Sequence, residues 1–177
     1  RGLAKAAIAA RVDGALCDLA RTLTGDCTLE IVTLKSPGAE EVYRHTMTHI
    51  MAQAVKRLYP GAALGVGPVI ESGFYYDFAV PEALTETDLE RISAEMEKII
   101  GEDLPVTREE LSREAATALM SASGEPLKAE LIEGFEDPAF SFYRMGEFVD
   151  MCRGPHLPRT GVLKHFKLLS VAGAYWK

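Results

Sequence analysis

No apolar run in the chain is long enough to span a bilayer, and the first residues lack the apolar core of a secretory signal. No membrane role is therefore expected. Cysteine is scarce, with Cys17, Cys27 and Cys152 its only occurrences. Such widely spaced thiols make no disulfide framework, which fits a reducing compartment and points to a cytoplasmic protein. Also missing are the Gly-x-Ser-x-Gly elbow, the phosphate-binding loop and the dinucleotide fingerprint, so nucleotide chemistry has no visible seat. Gly65-Val-Gly67 alone does not supply one; it reads as a tight backbone turn against a ligand or neighbour. There is no internal repeat and no low-complexity tract.

What is present is the composition of a globular protein: 177 residues, 47% hydrophobic and 25% charged. That length suits one domain, or one domain with part of another. Because the chain begins at Arg1 without a Met, it is expected to be a fragment. The net charge of −7 argues at first against a nucleic-acid partner. The charge is unevenly spread, however: residues 82–133 hold 14 acidic and 5 basic side chains, whereas residues 144–177 hold 6 basic and 2 acidic. An acidic chain can still offer a basic edge to phosphates; an unevenly charged solvated surface is the alternative.

Pattern divides the chain near residue 38. Residues 4–10 read as the end of a helix, residues 9–12 and 16–19 as strands joined by the turn dipeptide Asp13-Gly14, and residues 28–34 alternate in strand fashion. Ser36-Pro37-Gly38 breaks this small α+β piece, which is short for a core of its own. Residues 39–58 change to helical period, with Met47, Ile50, Met51, Ala54, Val55 and Leu58 on one side and Tyr59-Pro60-Gly61 as the stop. Residues 73–78 read as an aromatic strand. Thr87-Asp-Leu-Glu90 resembles a capping box ahead of a helix bearing Leu89, Ile92, Met96, Ile99 and Ile100. Extended chain resumes at residues 104–106, a helix spans residues 112–120 and ends at Ser123-Gly124, and residues 140–148 and 162–176 favour strands. The expected class is α+β.

His45 and His49 stand four apart on the first long helix and share a face, roughly opposite the Met47/Met51/Leu58 stripe. That placement suits the lining of a cleft better than the filling of a core. Far along the chain, Cys152-Arg-Gly-Pro-His156 adds a thiol and another imidazole. Three chemistries use this set: a tetrahedral zinc held by His45, His49, Cys152 and His156, a metal-free hydrolytic pocket, or hydrogen-bonded side chains with no chemistry. Every histidine but His165 falls in the set, which favours function over coincidence. A zinc-protease helix is disfavoured, because Thr46 stands where the Glu after the first His belongs.

Residues 44–49, 67–77, 149–156 and 165–177 together resemble the editing domain of bacterial threonyl-tRNA synthetases, in the family's order. The related alanyl-type domain usually has Gly-Gly-Thr between its Cys and His, so Arg153-Gly154-Pro155 points to the threonyl branch. Residues 1–38 resemble the later half of the ubiquitin-like β-grasp (TGS-type) domain that precedes it, without that domain's opening hairpin. The resemblance implies an incomplete β-grasp domain at 1–38 and, at 39–177, an editing domain with an antiparallel sheet packed by helices, the long His-x-x-x-His helix among them. It further implies hydrolysis of seryl-tRNA(Thr), with the tRNA 3′ end carrying serine as substrate. His45, His49, Cys152, His156 and Lys128 would line the catalytic pocket, His45 and Lys128 placing and activating water. Asp150 would recognise the amino acid, and Tyr76 with the Gly67-Pro68 backbone the terminal adenosine. From the residues alone Lys128 reads as a solvated lysine. An ester needs less activation than an amide, so no cofactor is expected to be required here, with zinc at the His/Cys cluster the alternative. The parent ligase would use ATP, magnesium and zinc in a catalytic core absent from this chain; the parent is expected to be a homodimer and this piece a monomer.

Overall fold

The computed structural model describes residues 2–173. A short helix α1 (Gly2–Ala6) leads into strand β1 (Ala7–Val12), which turns through Asp13-Gly14 into β2 (Ala15–Cys17); β3 (Leu29–Thr33) completes an antiparallel sheet in the order β2-β1-β3. The return strand stops at Cys17 rather than Leu19. The piece does not stand alone: Ile8, Ala9 and Val32 are buried in the same apolar cluster as Ala39 and Val42 at the start of the next helix.

That helix, α2 (Ala39–Leu58), is central. Glu40 and Glu41 in its first turn and Lys56 and Arg57 in its last complement the helix dipole. Of the expected stripe Met47, Ile50, Ala54 and Val55 are buried and Met51 and Leu58 half-buried, and Thr46, Thr48, His49 and Gln53 on other faces are buried too. The helix is therefore enclosed, and its histidine face is not the open cleft wall that the periodicity suggested. Several of the enclosed polar groups find partners, although His49 Nδ1 and Gln53 Oε1 have none. Thr46 Oγ1 donates to the Val42 carbonyl at 2.9 Å and accepts the Leu157 N–H at 2.8 Å, while Gln53 Nε2 donates to the Met145 carbonyl at 3.2 Å.

Four two-residue strands follow, β4 (Ala63–Leu64), β5 (Val69–Ile70), β6 (Gly73–Phe74) and β7 (Phe78–Ala79), pairing β4 with β7 and β5 with β6. The expected aromatic strand over residues 73–78 is thus split. Tyr76 passes between the two pairs, and the Asp77 N–H reaches the Val66 carbonyl at 2.9 Å. Helix α3 (Glu86–Glu102) begins two residues before the expected box would start it: Thr85 is its N-cap, and Asp88 closes the capping box. Asp88 wins over Glu90 because it also accepts the Tyr59 hydroxyl at 2.6 Å, a bond that links the helix start to the end of α2. At its far end α3 is gripped by Arg57, whose guanidinium lies 3.3 Å from Glu95, 2.6 Å from Glu102 and 2.6 Å from Glu147.

The larger sheet is antiparallel, order β10-β9-β8, from β8 (Val106–Ser112), β9 (Ala139–Met145) and β10 (Phe148–Met151); helices α4 (Arg113–Ala122) and α5 (Pro126–Gly134) fill the β8–β9 connection. Strand alternation divides its side chains. Met145 and Phe148 join the main core, whereas Phe140, Phe142, Val149 and Met151 form a second cluster with Ala116, Met120 and Ile132 of the two helices. Past β10 the chain makes a 3₁₀ turn (Thr160–Val162) and then runs irregularly to residue 173, where strands were expected over 162–176. The Tyr43 hydroxyl explains the difference: it accepts the Lys164 and His165 N–H groups and donates to the His165 carbonyl, tying the segment to α2 instead of to a neighbouring strand. Residues 174–176 of that expectation lie outside the described residues. Among the described residues no helix is long and apolar enough to cross a membrane.

Candidate functional site

His45 and His49 project one turn apart from α2, and Asp150 stands on the edge strand β10, opposite Tyr143 in register. Directly after β10 the chain doubles back through Arg153-Gly154-Pro155, so that His156 returns to Cys152. Only glycine fits that bend: Gly154 has φ 70°, and a Cβ there would lie 1.8 Å from the Tyr143 hydroxyl. Cys152 Sγ lies 2.9 Å from His45 Nε2 and 3.3 Å from His156 Nε2. The His156 ring sits between the other two imidazoles, with centroids 4.2 Å from His45 and 4.1 Å from His49.

A second group adjoins the first through His49. Asp150 Oδ2 accepts the Tyr76 hydroxyl at 2.5 Å and lies 3.5 Å from His49 Nε2. Asp150 Oδ1 lies 2.8 Å from Lys128 Nζ, an ion pair that is not aligned as a hydrogen bond. Lys128 comes from α5, a helix with no counterpart in the sequence-based expectation, and at 4% exposure it is not the solvated lysine its local sequence suggests. Its ammonium also stands 5.6 Å from the Tyr76 ring centroid. Gly67 forms the bed of that ring, where a Cβ would approach it to 2.3 Å. The neighbouring Pro68 carbonyl takes the Tyr75 N–H at 3.4 Å.

One further side chain enters from the N-terminal piece. Asp18, just past β2, accepts the Tyr143 hydroxyl at 2.6 Å and the His156 N–H at 3.0 Å. It thereby steadies the Cys152–His156 bend from outside. No local pattern marks it, because its partners lie 125 and 138 positions away.

Burial sets the protonation states. It pushes His49 down to about 3, His156 well below the imidazole range, and His45 down as well, with the Pro155 carbonyl opposing the shift at His45. All three rings are therefore neutral near pH 7, able to accept a proton or a metal. Burial also pushes the Cys152 thiol up to about 12, so without a cation it remains S–H and is no nucleophile. Tyr76, buried against the Asp150 carboxylate, is held as a neutral donor.

The donor chemistry fits zinc in part. The ligand atoms of His45, Cys152 and His156 all lie within 4.8 Å of one another, a mixed nitrogen and sulfur set of the kind zinc takes. His49, the fourth candidate, is not in that group and turns to Asp150 instead. The outer support is weaker, since His156 Nδ1 is buried without a partner, whereas ligand imidazoles normally donate their second N–H.

Two family models match: a TGS domain over residues 1–33, and the threonyl and alanyl tRNA synthetase second additional domain over residues 140–174. The threonine–tRNA ligase of Symbiobacterium thermophilum is 56% identical over 176 residues, covering 99% of this chain and 27% of the relative. The chain is homologous to the N-terminal region of threonine–tRNA ligases. The Thermotoga maritima ligase is 57% identical with 98% of this chain and 27% of its own length covered, and that of Acetivibrio thermocellus 52% with 99% and 28%. The chain thus spans about a quarter of the length of these relatives. The second additional domain match takes in Asp150, Cys152 and His156, and the TGS match takes in Asp18.

Proposed function

We propose that this site hydrolyses the ester joining a wrongly attached serine to threonine tRNA, as the proofreading part of a larger threonine–tRNA ligase. The observation that carries the reading is the meeting, in one group, of three neutral imidazoles with a Lys128–Asp150 ion pair, contributed by α2, α5, β10 and the bend that follows β10. Such a group suits water attack on an ester. His49, held near 3, is too weak a base for the task, whereas His45 is only half-buried. His45 therefore takes the proton, and the Lys128 cation supports charge developing on the ester oxygen. A thiol held at about 12 leaves water as the nucleophile rather than Cys152. Asp150 receives the α-ammonium of the amino acid. Tyr76, with the Gly67-Pro68 backbone, holds the terminal adenosine, and His49, Cys152 and His156 complete the wall.

Magnitude gives the site a purpose. Threonine and serine differ by a methyl, which a binding pocket discriminates by only about 1–3 kcal/mol, or roughly 10–200-fold. A synthetic pocket sized for threonine cannot exclude serine; a tighter hydrolytic pocket admits serine and rejects the methyl. The attachment of threonine with ATP belongs, in this reading, to a part of the ligase outside this chain.

The grouping of His45, Cys152 and His156 favours a second reading, in which zinc occupies the cluster. When bound, zinc would supply a Lewis acid and an acidified water at its open position. Deacylation of preformed seryl-, alanyl- and threonyl-tRNA by this chain, with and without chelator, tests both. Rapid release of serine with threonine spared, unaffected by chelator, is expected. Equal rates on all three, or none, would sink the editing reading. Preferential release of alanine points to an alanyl-type site, and tightly held stoichiometric zinc without esterase activity to a structural module.

A further inference from the structure

Beyond the cluster, the described residues include one other buried carboxylate, Glu125, which is 3% exposed and has no part in the proposed chemistry. Burying a carboxylate is costly unless its charge and lone pairs are matched. Here both oxygens are engaged. Oε1 lies 2.6 Å from Lys56 Nζ on α2, and Oε2 accepts the Leu64 N–H of β4 at 2.7 Å. Lys56 is in turn held by the Ala62 carbonyl at 2.8 Å.

Glu125 stands at the corner between α4 and α5. Helix α4 closes in a left-handed cap at Gly124 (φ 70°), with the Gly124 N–H reaching the Ser121 carbonyl at 3.2 Å and the Glu125 N–H reaching that of Met120 at 2.9 Å. The Glu125 carbonyl then accepts the Ala129 N–H at 3.1 Å and opens α5, with Pro126 in its first turn. Lys128 follows within that turn. Apolar packing fixes α5 on the side of Ile132, in a cluster separate from the main core. Toward α2 and β4, the polar tie is the Glu125 side chain.

We propose that Glu125 is a positioning residue for Lys128: by locking the α4–α5 corner to α2 and β4, it holds the Lys128 ammonium 2.8 Å from Asp150. The inference rests on reading the cluster as an ester-hydrolysing site. Without this tie, Lys56 and the Leu64 N–H lose their shared partner, the corner is free to lift, and a long lysine side chain finds water within reach. A misplacement of about 1 Å at a reacting group costs on the order of 100-fold in rate.

The test uses the full chain and seryl-tRNA, with Glu125→Ala, Lys128→Ala, the double variant, and Glu125→Gln, which keeps the size and an acceptor for Leu64 but not the charge. Glu125→Ala is expected to lower kcat about tenfold or more with KM within about twofold of wild type, the signature of a loss confined to the chemical step. Glu125→Gln recovers part of that loss. In the Lys128→Ala background, Glu125→Ala costs less than about twofold further, because nothing remains for it to position. Wild-type kcat in Glu125→Ala overturns the inference, as do losses that multiply independently in the double variant. If the alanine variant does not fold, Glu125→Gln decides in its place: a lowered kcat supports the inference and a wild-type kcat overturns it. A wild-type chain that leaves seryl-tRNA intact overturns the functional reading itself, whereas active wild type beside an unaffected Glu125 variant overturns this inference alone.

Discussion

An imidazole deprived of water changes what it can do before any substrate arrives. Burial lowers the proton affinity of His45, His49 and His156 together, and a proton on one ring disfavours a second proton on its neighbour. The sign follows directly. A base whose pKa is lowered stays unprotonated to lower pH, so acid inactivation begins below the ordinary imidazole value of about 6.5. We therefore expect the half-maximal kcat for seryl-tRNA hydrolysis to fall below pH 6.5 on the acid side. A pH–rate profile measures this, and a half-maximal rate at or above pH 6.5 contradicts it.

Elements bring these residues to one place, and some do so through contacts that leave no slack. The segment between β4 and β7 lays Gly67 directly on the Tyr76 ring. In Gly67→Ala the ring must shift, and its hydroxyl leaves Asp150. A hydrogen bond to a charged group contributes roughly 1.5–3 kcal/mol, so a loss of about 10–100-fold in kcat is expected, with far-ultraviolet circular dichroism unchanged. Retained activity in that variant would argue that Tyr76 has no part in the site. At this scale the sequence was informative where period and chemistry coincide. Residues 39–58 form the helix that their spacing predicts, α4 (Arg113–Ala122) falls where a helix was expected over residues 112–120, and the His/Cys residues gather as their unusual types suggested. It was uninformative where distant partners decide. The Thr85 capping box prevails through Tyr59, the segment after Val162 is tied down by Tyr43 rather than paired, and α5 is nine residues with too little period to detect. Asp18, Glu125 and the burial of Lys128 depend on residues far away in the chain, which no local window contains.

For the molecule as a whole, the N-terminal piece and the rest behave as joined. Ile8, Ala9 and Val32 share the main core with Val42, and Asp18 reaches the bend that carries His156. Residues 39–177 expressed alone would expose that apolar contact and release the bend. We expect a thermal midpoint lower by roughly 5–15 °C, from a few kcal/mol of lost burial, together with loss of hydrolytic activity. Thermal melts and deacylation assays on the shortened chain check both, and unchanged values would make residues 1–38 dispensable to this site.

The distance in sequence between Cys152 and His45, 107 positions, also has a meaning in time. A ribosome makes the long helix early and the Cys-Arg-Gly-Pro-His bend late, so the nascent protein holds both imidazoles of α2 well before it has anything to place against them. Pairings of such range are slow to form and arrive together with the rest of the tertiary structure. The His/Cys group is therefore completed only in a late step, once the last of its members has been made and the tertiary structure closes around it.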